Sequence, residues 1–109
     1  MELINITMKA GERVEYEDKF GGQNFLILDK FPEHDHKTYP VYFLDYPLSE
    51  KDISLEKNKM VVTISGFGFT KPYCSTLEKT WKIESDLGVL LMEIIELDGE
   101  KLLRVNLNE

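Results

Sequence analysis

Glu33-His34-Asp35-His36 is the one cluster in the chain whose residue types suit a metal ion. Two histidines at i and i+2 can project from one side of an extended segment and offer imidazole nitrogens to zinc, nickel or copper, with carboxylates alongside. His34 and His36 are nevertheless an incomplete set. They are the only histidines, so further ligands would have to be acidic residues or Cys74 from elsewhere. The run also lacks the following glutamate and the glycines of a cupin-like pattern. It reads as a solvated loop that titrates near neutral pH, and no metal or other cofactor is expected.

Cys74, the single cysteine, follows Pro72-Tyr73 and has only Lys71 as a basic neighbour. A nucleophilic thiolate needs a histidine base and oxyanion donors, and nothing in the spacing supplies them, so Cys74 reads as a buried structural thiol. No nucleophile elbow surrounds any serine. Gly66-Phe67-Gly68-Phe69 has the GxG of a dinucleotide loop without the third glycine or the following helix. It reads as a bend in a strand, with glycines on one face and phenylalanines on the other. No catalytic residue is expected, and the chain does not read as an enzyme. No motif identifies a family.

The positioning elements are strands. The run from Val89 to Asn108 is two apolar segments around Asp98-Gly99, a dipeptide suited to the positive φ angles of a tight hairpin turn. Closing it there pairs Glu96 with Lys101, Glu93 with Arg104, Ile95 with Leu102, Ile94 with Leu103, Met92 with Val105 and Leu90 with Leu107. Opposite charges fall opposite each other. One face then collects Leu90, Met92, Ile94, Leu103, Val105 and Leu107, a core surface whose natural partners are Trp81, Ile83 and the strand from Met60 to Ile64. The other face, with Leu91, Glu93, Ile95, Leu97, Leu102, Arg104 and Asn106, is mixed enough to be half covered or to lie at a contact.

Earlier segments alternate too. Strands are expected from Met1 to Lys9, around Val14, Tyr16 and Phe20 on one face, around Phe25 to Phe31 in a sheet interior, from Tyr39 to Tyr46, and from Met60 to Phe69. Pro40 marks an edge or a strand start. Leu48 to Lys59 suits either a helical turn from Ser49 or a short strand. Ser75 to Leu87 carries helix signals, a Ser75–Glu78 capping box and a closing Gly88, but TWKIES alternates, with Trp81 and Ile83 inward, and a strand is favoured. The expected fold is mostly β: a single domain over residues 1–109, an antiparallel β-sandwich or small barrel of about seven to nine short strands. A short helix at Ser75 to Leu87, giving an α+β fold with one helix on a curved sheet, is the alternative.

Composition narrows the partners. The 109 residues hold 20 acidic against 13 basic side chains, a net charge of −7. Direct nucleic-acid binding needs clustered cations that release counterions, and none are clustered here. No run approaches a membrane span and the N-terminus lacks a signal-peptide pattern, so a cytoplasmic protein is expected. Its function is expected to be that of a non-enzymatic, acidic protein-binding domain, an inhibitor or immunity-type protein that blocks a basic partner. The segment from Tyr39 to Asp52 mixes tyrosines with carboxylates, which combines fast encounter with slow release. The candidate contact residues are Glu15, Glu17, Tyr39, Tyr42, Asp45, Tyr46, Glu50 and Asp52. One alternative is a small-molecule-binding β-barrel lined by Phe25, Phe43, Phe67, Phe69 and Trp81, which a filled core would remove. The other is a metal site at His34 and His36. Oligomeric state is left open.

Overall fold

The computed structural model describes residues 2–32, 39–46, 48–69, 71–76, 78–85 and 88–108. The described residues form nine strands: β1 (Glu2–Met8), β2 (Arg13–Glu17), β3 (Gln23–Lys30), β4 (Pro40–Asp45), β5 (Met60–Ile64), β6 (Tyr73–Thr76), β7 (Thr80–Ser85), β8 (Gly88–Leu97) and β9 (Glu100–Asn108). They make two sheets, ordered β1-β9-β8-β7 and β2-β3-β5-β4-β6. The architecture is therefore a sandwich rather than a barrel. A single 3₁₀ turn at Glu50–Asp52 is the one helical element among the described residues, and Ser49 caps it through a capping box. Among the described residues no helix is long and apolar enough to cross a membrane.

The β8–β9 hairpin has the register that its sequence dictates, from Leu97 opposite Glu100 to Leu90 opposite Leu107. Asp98 at φ 53° and Gly99 at φ 79° form its turn, in the left-handed conformation that matches the twist of a two-residue hairpin. Leu90, Met92, Leu103, Val105 and Leu107 are buried, and they share one core with Trp81 and Ile83 of β7 and with Met60, Val62 and Ile64 of the opposite sheet. Two strands alone are marginal; here each side of the sandwich buries the other's apolar face.

The second sheet contains the one parallel pair among the described strands, β4 with β5, their first paired residues being Val41 and Met60. A parallel pair needs a crossover, and residues 48–59 lie over the outer face of the sheet on that path. Glu50 reaches Lys30 at 3.8 Å, and Ser54 lies against the Tyr42 hydroxyl. Outward-facing Tyr42, Leu44 and Val61 are thereby buried, which accounts for apolar residues on both faces of β4 and β5.

The strand favoured at TWKIES is present as β7, with Trp81 and Ile83 inward as the alternation requires, and the short strand β6 precedes it. Three expectations are corrected. The strand from Met60 ends at Ile64 rather than Phe69, because Gly66 and Gly68 adopt φ of 76° and 96°. Phe20 lies outside β2, in the turn before Gly21, 78% exposed. Cys74 is exposed, not buried: it sits on the outward side of the short edge strand β6, opposite Tyr42.

Candidate interaction face

Of the residues singled out in the sequence, the fold gathers Glu15, Glu17 and Tyr46 around Phe25. Glu15 pairs with Phe25 and Glu17 with Gln23 across β2 and β3, so both carboxylates point outward from the half of the sheet that the crossover leaves uncovered. The Tyr46 ring meets the Phe25 ring edge-on at 5.7 Å and is 66% exposed. Arg13 lies 4.2 Å above Phe25 and 3.4 Å from Glu15. Glu50 and Asp52 are exposed on the crossover, Glu50 at the Lys30 end of β3, and Tyr39 is half-buried. The result is a half-buried Phe25 ring under Arg13, with the exposed Tyr46 ring beside it and Glu15 and Glu17 alongside.

Tyr42 and Asp45 are not part of that surface. Tyr42 is covered by the crossover, and Asp45 is 5% exposed and turned inward at the end of β4. Alternation along the strand puts them on opposite sides, a distinction that the mixture of tyrosines and acids in the sequence hides. His34 and His36 lie outside the described residues; among the described residues no group of three or more potential ligands is placed to hold a metal. The five aromatics of the ligand-pocket alternative are split. Phe43 and Phe67 are fully buried, Trp81 nearly so, and Phe25 is on the outer face. The space bounded by Leu3, Tyr16, Phe67 and Leu107 holds about 20 Å³, room for a water molecule rather than an organic ligand.

What Asp45 does is hold the face in place. Its carboxylate accepts N–H bonds from Gly66 at 3.2 Å, Gly68 at 2.5 Å and Phe69 at 2.9 Å, a concave arrangement of backbone donors around one anion. The same loop is tied to the β2–β3 turn. The Tyr16 hydroxyl donates to the Ser65 carbonyl at 2.7 Å, Ser65 Oγ donates to Asn24 Oδ1 at 3.1 Å and accepts from Phe25 N at 2.8 Å, and Asn24 Nδ2 donates to Asp18 at 2.7 Å. Gly66 is required twice over, since besides its positive φ a Cβ there would sit 2.4 Å from Asn24 Oδ1. Burial, then the Asp45 and Asp18 carboxylates, push the Tyr16 hydroxyl up to about 12, so it remains a donor across the physiological range.

Asp18 closes the turn by accepting the N–H groups of Phe20 and Gly22 at 2.9 and 2.8 Å. Those bonds, the Gly22 bond foremost, hold its carboxyl below the ordinary 3.8. A depressed folded value means that the unfolded chain takes up the proton first. The Asp18 contribution is therefore fully present above 3.8 and is lost as pH falls through the lower folded value. Asp18→Asn is expected to flatten the acid limb of stability below pH 3.8, read from urea midpoints at successive pH values; parallel curves for the two proteins would contradict it. Asp29, outward on β3, shifts the other way, raised first by burial and then by Glu50, with the Thr63 hydroxyl bond at 2.9 Å opposing.

No protein-family model matches the chain, and no curated protein or solved structure does either. The functional reading consequently stands on the geometry of the face.

Proposed function

We propose that this protein is a non-enzymatic, acidic binding domain that docks on and blocks a basic protein, as inhibitors and immunity-type proteins do. One observation carries the reading: Glu15 and Glu17 flank the half-buried Phe25 ring and the exposed Tyr46 ring on a surface that the Asp18–Asn24–Ser65 bonds and the Asp45 loop hold ready-made. A rigid aromatic anchor loses little side-chain entropy on binding, and surrounding carboxylates accelerate encounter with a basic surface. Glu50 and Asp52 extend the same charge along the crossover. A net charge of −7 makes nucleic acid an unfavourable partner, and a cytoplasmic setting suits a soluble blocking protein with a single thiol.

Retention of proteins from an extract of the source cells tests this. The immobilised chain is expected to retain a basic protein at low salt and release it as salt rises. Tyr46→Ala is expected to weaken retention at least about tenfold, as a central anchor does, and Glu15→Lys with Glu17→Lys to abolish it. Failure to retain any protein at low salt, or retention indifferent to these substitutions, would count against the reading.

A further inference from the structure

The outer face of the β1-β9-β8-β7 sheet departs from what a solvated sandwich face should be. An antiparallel sheet with one side in water alternates apolar-in with polar-out. On β8, however, the outward positions opposite Asn108, Asn106, Arg104, Leu102 and Glu100 are Val89, Leu91, Glu93, Ile95 and Leu97. Leu97 is 57% exposed and Leu91 40%. Beside Leu91 the surface dips into a hollow of about 370 Å³ bounded by Thr80, Lys82, Glu93, Arg104 and Asn106. Both sheet edges, β1 and β7, flank this face without a further described strand.

Charge indicates what covers it. Cross-strand register and contacts put Lys9, Lys82 and Arg104 on this face against Glu2, Glu84, Glu93 and Glu100. Three cations against four carboxylates leave it at −1, whereas the whole chain is at −7. A basic partner gains little here. Two acidic copies, which repel each other through the rest of their surfaces, can approach on this side almost without penalty.

We infer that the outer face of this sheet is where a second copy of the chain docks, in an isologous pair centred on Leu91, Ile95 and Leu97. In such a pair the same patch serves both partners, and a patch with both signs of charge is self-complementary. The face measures about 19 Å across four strands and about 30 Å along them, roughly 570 Å² per copy, below the roughly 800 Å² per partner of a stable complex. The pair is accordingly weak, with a dissociation constant of order 10–100 µM. It leaves the Glu15, Glu17, Phe25 and Tyr46 face free on the opposite side of each sandwich, so it neither requires nor excludes the proposed binding function.

Sedimentation equilibrium from about 5 µM to about 1 mM tests the inference, a span that brackets such a constant. The expected result is a rise from the 12.7 kDa of one chain towards twice that mass. Leu91→Glu and, separately, Arg104→Glu are expected to weaken association at least about tenfold. Both positions are solvent-facing, and circular dichroism is the check that each variant folds. Glu15→Ala with Glu17→Ala is expected to leave the mass curve unchanged. A chain that stays at the monomer mass throughout assigns the face to another molecule and overturns the inference. Association untouched by both Leu91→Glu and Arg104→Glu, or lost on substituting Glu15 and Glu17, overturns it as well.

Discussion

Asp45→Ala is expected to destabilise the fold by about 3–5 kcal/mol, since hydrogen bonds to a buried charged group contribute roughly 1.5–3 kcal/mol each and three are lost, with water restoring part at the exposed glycines. That is a large share of the roughly 5–15 kcal/mol that stabilises a domain of this size. The donors are the Gly66, Gly68 and Phe69 N–H groups, held at 2.5–3.2 Å around the carboxylate. Asp45→Asn is expected to lose most of the same stability, because its amide nitrogen would meet an N–H group donor to donor. Urea unfolding measures both. A second consequence separates this residue from an ordinary packing position. Tyr46 follows Asp45 directly and its N–H bonds the Ile64 carbonyl, so loosening the 65–69 loop also frees the ring that stands against Phe25. Losses below about 1 kcal/mol in both variants would show that the loop does not depend on this carboxylate.

Phe43→Ala is expected to cost about 3–5 kcal/mol, the range for deleting a buried aromatic ring and leaving a cavity. Phe43 is fully buried, and its position explains the size of the effect. Its ring lies 6.2 Å from Trp81 of the opposite sheet and 5.7 Å from Tyr73 of the neighbouring strand, so removal strips contacts on both layers at once. Collapse is limited because the flanking Val41 and Val62 are themselves fully buried and packed. Thermal and urea unfolding of the variant measure the loss. A cost below about 1.5 kcal/mol would mean that the interior is loosely filled and would revive the reading of a ligand-holding interior.

The hairpin was legible in full because everything that sets it is local: Asp98-Gly99 dictates the turn, and the turn dictates which residues oppose each other. Strand existence elsewhere was legible from alternation. What depended on distant residues was not. Nothing near β4 in sequence says that residues 48–59 will fold back over Tyr42 and Leu44, so a covered tyrosine and an exposed one, Tyr42 and Tyr46, looked alike. Asp45 was indistinguishable from a surface carboxylate because its partners, the 66–69 backbone amides, are visible only once β4 lies beside β5. The same ignorance hid Phe25. Alternation separates Phe25 and Ile27 from Leu26 and Leu28, but only the pairing with β2 and β5 tells which set faces the core. Gly66 carried a usable signal, since a glycine pair at the end of an apolar run can end a strand as well as bend it. Cys74 was misread because burial is the usual fate of a free cysteine, whereas here the strand that carries it lies at an edge.

The central claim is that the Glu15, Glu17, Phe25 and Tyr46 face recognises a basic protein. Backbone amide chemical-shift mapping, with the labelled chain titrated with a protein it retains at low salt, addresses that claim most directly. The predicted result is a set of shift changes concentrated on β2, the first half of β3 and Tyr46, and abolished by Glu15→Lys with Glu17→Lys. Changes centred instead on Leu91, Glu93 and Arg104, or surviving that double substitution, would contradict it.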